Sequence, residues 1–252
     1  MDVELLLRFE RLEDTHWWFV GRRALVLETA RRWAPQPLDR IVDAGCGTGG
    51  GLRALASAFP SATTLGVEPS EQALSRAAER GCAVVGGSLE DLPLETAGTD
   101  LLLALDVLEH IDDDTLAVAE IGRVVRPGGR LIVTVPALPW LWGPHDEVNE
   151  HKRRYRRAEL LRLIGDAGFA VERLTYFNTF LLPLGIAERF VSRRLGRRAS
   201  LGLRVPPSAV NAALTRTFGL EVELLRRRDL PIGMSLLLVA TRVGRDGDSP
   251  IG

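Results

Sequence analysis

Four histidines, His16, His110, His145 and His151, are the side chains of this chain best suited to carry a proton near neutral pH. His110 follows Glu109, and His145 precedes Asp146 in a polar and aromatic stretch that also holds His151. A general base, if the reaction needs one, is expected among His110, His145 and His151. A second constellation lies earlier, at Ile41-Val42-Asp43-Ala44-Gly45-Cys46-Gly47-Thr48-Gly49-Gly50. An apolar run ends there in a carboxylate, and glycines follow in quick succession. Glycines let a turn adopt positive φ and let a ligand approach the backbone closely. The free N–H groups at the start of a following helix offer donors to an acceptor-rich ligand. The expected ligand is nucleotide-like.

These residues need elements to hold them. Residues 1–38 read as a helical cap. Leu5, Leu6 and Phe9 recur at helical spacing, the cluster His16-Trp17-Trp18-Phe19 interrupts, and a second helix runs over Arg22–Trp33 until Pro35 and Pro37. Strands are expected at Ile41–Ala44, Thr64–Glu68, Ala83–Val85, Leu101–Leu105 and Leu131–Val135. Helices fall between them, at Ser70–Arg80 and Thr115–Val125 among others. Strands alternating with helices at this spacing predict a parallel sheet covered on both faces, with the ligand beyond the C-terminal strand ends. Pro136–Tyr155 reads as a long exit loop of the functional kind. Then come a helix at Ala158–Ala167, a strand at Phe169–Tyr176, the apolar stretch Phe177–Leu195, a helix over 208–227 and a last strand at Met234–Thr241.

At 252 residues, with 46% hydrophobic and 26% charged content, the chain suits one soluble domain with a sizeable core. The expected divisions are the cap at 1–38, a ligand-binding core at 39–136, an acceptor loop, sixth strand and lid at 137–227, the last strand at 228–243 and a tail at 244–252. No signal peptide is visible, no apolar run is long enough to span a bilayer, and two cysteines make no disulfide framework. A cytoplasmic location is expected. Net charge is −1, but His151–Arg228 holds 17 basic against 6 acidic residues, a local +11. Such a basic portion suits an anionic partner or a set of solvated helix faces.

Gly45, Gly47 and Gly50 also satisfy the G-x-G-x-x-G pattern of dinucleotide-binding oxidoreductases, with Glu68 beyond it. Asp43 separates the readings. A carboxylate two residues before the turn would repel a pyrophosphate and suits an ammonium or sulfonium. Glu68, ending the second strand, can accept both hydroxyls of a ribose. Gly86-Gly87-Ser88-Leu89-Glu90 follows the third strand, where an adenine would lie.

The set Val42–Gly49, Gly66-Val67-Glu68-Pro69-Ser70, Leu105-Asp106-Val107-Leu108-Glu109-His110-Ile111 and Arg123–Gly129 resembles the class I S-adenosylmethionine-dependent methyltransferases, in particular the ubiquinone/menaquinone-type branch. The resemblance covers residues 41–136. It implies an α/β, Rossmann-like, seven-stranded, mostly parallel sheet with an antiparallel last strand, helices on both faces and a helical lid insertion. It implies S-adenosyl-L-methionine as cofactor. Asp43, Ala44, Gly45, Cys46, Gly47 and Gly49 would lie near the methionyl part, Glu68 at the ribose hydroxyls, and Pro69 and Leu89 at the adenine. The family's acidic residue at the adenine amino group is replaced here by Ser88, so that contact falls to Ser88 or to Glu90. Asp106 and Val107 would flank the reacting end. The aromatic cluster, as a lid over the first strand's mouth, would bring Trp17 and Arg22 to the cofactor and Trp18 to the acceptor.

Methyl transfer is an in-line displacement at an activated carbon, so alignment and desolvation carry most of it. His110 has the family's position near the acceptor and equally suits a structural role. His145 and His151 belong to the loop that lines the acceptor pocket in such folds. Arg154 and Tyr155, with Arg153 and Trp140, suit an anionic acceptor or simply anchor the loop. Asp106, Glu109 and His110 resemble a carboxylate–carboxylate–histidine metal pattern of some quinone-type members. Asp stands where the longer Glu is expected, and no metal is expected. Phe177–Val191 is too short to span a bilayer and reads as a pocket roof or dimer contact before a membrane-surface element. The reading is transfer of a methyl group to a small-molecule acceptor: a natural product, a quinone-like compound, or a lipid or saccharide precursor. The protein would be a monomer or homodimer that binds no nucleic acid. The alternatives are an NAD-dependent oxidoreductase, a methyltransferase of peptide or protein carboxylates, and a non-catalytic binding protein on the same fold.

Overall fold

The computed structural model describes residues 10, 12–195 and 205–244. A helix α1 (Trp17–Trp33) precedes β1 (Arg40–Ala44). Then follow α2 (Gly50–Ala58), β2 (Thr63–Glu68), α3 (Glu71–Glu79), β3 (Val84–Gly86) and β4 (Thr99–Leu105). α4 (Asp114–Val124) leads into β5 (Val125–Pro136), α5 (Pro144–Val148) and α6 (Arg157–Asp166) lie in and after the exit loop, and β6 (Phe169–Phe177) follows. α7 (Leu182–Leu195) and α8 (Ser208–Leu225) fill the connection to β7 (Ser235–Arg242). The seven strands form one sheet in the order β3-β2-β1-β4-β5-β7-β6. All neighbours are parallel except β7, which runs antiparallel to both β5 and β6.

The chain order explains the site. β1 and β4 are neighbours in space, with Ile41 opposite Leu101 and Asp43 opposite Leu103. The sheet order reverses between them, because β2 and β3 run off to one side and β5, β7 and β6 to the other. A crevice opens at such a reversal beyond the carboxyl ends of the strands. Alternate residues of the central strands bury on opposite faces. Val42, Leu102, Ala104, Leu131 and Val133 face one core with α4 and α6, and Ile41, Leu101, Leu103 and Ile132 face the other with α1 and α8. Both faces being covered, these strands read as continuous apolar runs.

One expectation at the N-terminal side changes. Helical residues 12–13 give way to a turn at 14–16, and the second helix begins at Trp17 rather than Arg22, so the aromatic cluster forms its first turn. His16 is the N-cap, its Nδ1 accepting from the Trp18 N–H at 3.3 Å. Trp18 stacks on Phe177 and packs on Phe218, with ring centroids 5.9 Å apart in both pairs. Tertiary burial of the rings thus outweighs the modest helix propensity of aromatic residues. Gly21 allows this approach, because a Cβ there would lie 2.2 Å from Phe218 Cδ1. The helical reading of Leu5, Leu6 and Phe9 and the tail beyond 244 lie outside the described residues. The Arg126–Gly129 turn is absorbed into β5 as an irregularity between Thr99 and Leu101 of its partner strand.

Candidate active site

β1 delivers Asp43 to the crevice and the glycine turn follows at once. Gly45 and Gly47 take φ of +81° and +55°, a region that side chains with a Cβ rarely adopt. The turn is fastened to β2: the N–H groups of Gly45 and Cys46 donate to the Val67 carbonyl at 2.7 and 3.2 Å. Above Gly47 a Cβ would meet nothing within 4 Å, so the backbone here borders open space. Glu68 closes the other side. Its carboxylate accepts from the Gly47 N–H at 3.0 Å and the Ser70 N–H at 3.1 Å. Burial raises the Glu68 pKa, against the pull of these two donors.

Asp43 is 3% exposed. Burial pushes its carboxyl up to about 7; Arg22 opposes this, and the negative potential of Glu13 and Glu68 adds to it. A carboxylate whose charge is held in excess of its neighbours' compensation attracts a cation. Arg22 reaches from α1 to pair with Asp106, and its Nη1 also donates to the Leu105 carbonyl at 3.3 Å. Asp106 itself sits at φ +55°, a conformation Asp tolerates, at the exit of β4. Gly45 packs tightly on Val107: a Cβ at Gly45 would lie 2.5 Å from Val107 Cγ2.

Glu13 is a rim residue with no motif to mark it in the sequence. It accepts from Thr48 Oγ1 and Arg80 Nη1, each at 2.8 Å, and lies against Gly50 at the start of α2. Beneath it is a cavity of about 40 Å³ lined by Phe19, Arg22, Val26, Gly51, Leu55 and Leu105 among others. A wider groove, about 430 Å³, runs between α4 and α6 past Arg153, Glu159 and Arg162.

The loop after β5 brings the histidines together. His151 and His110 meet edge-to-face with ring centroids 4.9 Å apart, and His145 lies 6.2 Å from His151. Asp146, fully buried, organises this group. It accepts from His151 Nδ1 at 3.0 Å, Arg154 Nε at 2.7 Å and the Gly143 N–H at 2.9 Å. Burial alone would raise its pKa; the His151 hydrogen bond and the Arg154 charge outweigh that and bring it down to about 2. An ionised Asp146 fixes the proton of His151 on Nδ1 and leaves Nε2 as the acceptor. His145 differs. Burial lowers its pKa to about 4, and its Nε2 is 3.2 Å from the Asn149 amide. His110 is also shifted down by burial and is hydrogen-bonded to the backbone of Glu150. Glu109, 1% exposed, has its pKa raised by burial and by Asp106, and its Oε2 has no hydrogen-bond partner. Among the described residues, Glu109, His110 and His151 are the group whose spacing would suit a metal ion. Asp106, paired with Arg22, is not part of it.

Other sequence candidates are placed differently. Arg154 spends its second donor on the Ala137 carbonyl at 2.7 Å, and Tyr155 Oη donates to Asp114 at 2.7 Å, so both tie the loop to the fold. Trp17 and Trp18 pack into the α1–α8 core cluster, and Trp140 is 56% exposed. Leu89 is buried in the core, and Ser88 forms a backbone bridge with Asp91. Pro69 follows Glu68 at the end of β2. Glu13 acts through Thr48 and Arg80, 35 and 67 residues away, which no local spacing signals. Asp146 works within its own loop, through Gly143, His151 and Arg154, 3, 5 and 8 residues away.

The cradle fits the cofactor that the sequence motifs imply: an open glycine backbone, a buried carboxylate under negative potential for a cation, and a second carboxylate for hydroxyls. The comparisons with known proteins agree. The family described as a methyltransferase domain matches residues 42–133. A probable S-adenosylmethionine-dependent methyltransferase of Mycolicibacterium smegmatis is 31% identical over 241 residues, covering 92% of this chain and 91% of the relative. A second such protein, of Mycobacterium tuberculosis, is 31% identical over 245 residues, covering 92% and 86%. In structure, the fold is similar to that of a methyltransferase of Thermotoga maritima, with a TM-score of 0.60 at 23% identity over 95% of this chain and 97% of that one.

Proposed function

The chain belongs to the S-adenosylmethionine-dependent methyltransferases, and on that footing we propose that it methylates a hydroxyl of a small-molecule acceptor, with His151 as general base. The observation that carries this reading is the Asp146–His151 pair at 3.0 Å, set beside His110 next to the β4 exit. Asp43 and the Gly45–Gly49 turn would hold the methionyl part of the cofactor. Glu68 would hold the ribose hydroxyls, and Ser88 or Glu90 the adenine. When bound, the cofactor supplies an electrophilic methyl group on a sulfonium.

The chain's own residues do the rest. Arg22 holds Asp106 at the end of β4, so that the Asp106–Val107 backbone presents a fixed wall to the reacting end. Asp146 orients His151 and stabilises the imidazolium once the acceptor proton has moved to Nε2, the arrangement by which a carboxylate supports a histidine base. Neutral His110 and the buried Glu109 carboxyl supply polar groups to orient the acceptor's hydroxyl. Water exclusion follows from Glu13 and α1 closing over the turn. The test is a calorimetric titration with S-adenosylmethionine, its demethylated product and NADH, joined to a pH profile of methyl transfer for His151→Ala. Binding of the first two, abolished by Glu68→Ala, and loss of the acidic limb in His151→Ala are the expected results. An unchanged profile removes the base and leaves an acceptor that needs none.

A further inference from the structure

Glu109 stands on the short helical turn Leu108–His110 after β4, is 1% exposed, and has an Oε2 without a hydrogen-bond partner. A buried polar atom left in that state costs free energy and calls for an explanation. The two guanidinium groups that act on it, Arg22 and Arg154, are paired with Asp106 and Asp146 instead. What surrounds Glu109 is imidazole. One ligand atom each of Glu109, His110 and His151 all lie within 4.8 Å of one another.

Each of the two histidines has one nitrogen committed and one left over. His151 Nδ1 is bonded to the Asp146 carboxylate at 3.0 Å, and His110 is bonded to the backbone of Glu150. Metal-binding histidines are held in this way: the outer nitrogen donates to a carboxylate or a carbonyl, which fixes the ring and makes the inner nitrogen a stronger ligand. The backbone joins the two segments as well. The Lys152 N–H donates to the Glu109 carbonyl at 2.6 Å, and the His151 N–H to the Asp146 carbonyl at 2.9 Å. Glu109 is buried and His151 half-buried, but His110 is exposed, so the group is open to solvent on one side. The donor set selects the ion. Two imidazoles and a carboxylate suit Zn²⁺ and its neighbours in the first transition series, whereas Mg²⁺ and Ca²⁺ call for oxygen ligands. Ligand atoms about 2.0–2.2 Å from a shared ion stand about 3–3.5 Å apart, so small side-chain rotations close the group. Three protein ligands leave a further position open. Asp106 takes no part, because Arg22 holds its carboxylate; His151, from the loop after β5, supplies the third ligand.

We propose that Glu109, His110 and His151 bind a divalent ion of the zinc class, with Asp146 and the Glu150 backbone orienting the two imidazoles. The ion occupies His151 Nε2, the atom assigned above to the acceptor's proton, so at any one moment the ion and the base role exclude each other. Binding of the ion does not depend on that role. The test is titration of the full chain, stripped with a chelator, with Zn²⁺, Co²⁺ or Mg²⁺ alone, in the absence of cofactor and acceptor. One equivalent of Zn²⁺ or Co²⁺ is expected to bind and to raise Tm, and Mg²⁺ at the same concentration to do neither. Bound Co²⁺ is expected to show the visible absorption of a nitrogen and oxygen site, without the sulfur-to-metal charge transfer that would put it on the free thiols Cys46 or Cys82. Glu109→Gln and, separately, His110→Ala should each weaken Zn²⁺ binding by at least about tenfold, since even an outer-shell partner is worth about 10–100-fold. His110 is exposed, so His110→Ala should keep the Tm of the metal-free wild type, which separates a lost ligand from a lost fold. Absence of Zn²⁺ and Co²⁺ binding overturns the proposal, as does binding that both variants retain, or cobalt held through sulfur. With no acceptor present, failure of the base reading leaves these results unchanged.

Discussion

Asp146→Asn removes one charge from the centre of the loop after β5, and the structure sets the size of the effect. The carboxylate is fully buried and its pKa lies at about 2 against an ordinary 3.8. Nearly two pH units correspond to about 2 kcal/mol of preference for the ionised form in the fold. The substitution also leaves the Arg154 guanidinium, whose side chain is 5% exposed, without its counter-charge. Breaking a buried pair from one side costs about 3–5 kcal/mol. An Asn oxygen still accepts one hydrogen bond, so a net loss of about 3 kcal/mol is expected, or roughly 6–10 °C in Tm for a chain of this size. A depressed carboxyl pKa stabilises above its unfolded value and loses that stabilisation as pH falls through its folded value. The Tm gap between wild type and Asp146→Asn should therefore be full at neutral pH and shrink between pH 4 and 2. Thermal unfolding followed by circular dichroism along that pH series reads it directly. Methyl transfer should fall by about 10²–10⁴, since the asparagine amide holds the wrong tautomer of His151. The affinity for S-adenosylmethionine should not change. Equal Tm values at neutral pH, or a gap that persists unchanged to pH 2, would refute the central role given to this carboxylate.

Asp43 gives the opposite sign. Its raised pKa, about 7, means that the ligand-free fold gains stability from this group as pH falls from 7 toward 4, while affinity for the cationic cofactor drops about tenfold per pH unit below 7; in Asp43→Asn, calorimetry should find weak binding with no such slope. Gly45→Ala forces a side chain into φ +81° and onto Val107, so about 2 kcal/mol of stability should be lost in urea unfolding, with a parallel loss of cofactor binding. Phe218→Ala opens a void between Trp17, Trp18 and Phe177, and should cost about 3–5 kcal/mol by the same assay.

The sheet was readable because its signals are local. Leu101–Leu105 is apolar without a break, Ser70 is followed by a helix whose Ala73 N–H it caps, and Gly45–Gly49 follows a strand directly. Of the candidate site, the motifs singled out Asp43, Glu68 and Asp106. What escaped is set by which partner each side chain meets in the folded loop or core. Trp17 and Trp18 look like an interruption until Phe177 and Phe218 are packed on them. Arg154 and Tyr155 look like an anion clamp until Asp146 and Asp114 take their donors. The three histidines could be named from sequence, but not ranked: His151 stands apart only because Asp146 touches it and Asn149 touches His145.

The contact of Gly21 with Phe218 has a consequence for how such proteins can be recombined. α8 belongs in sequence to the insertion before the last strand, yet its ring is seated in a notch of the first helix, and the Trp17 N–H is bonded to Asn211 at 3.0 Å. The insertion is therefore not a cassette. Exchanging it alone for that of a relative would leave a bulky ring facing an unmatched surface at the opposite end of the gene. A working chimera has to carry both ends of the chain together, with only the segment from β1 to β6 as the common frame.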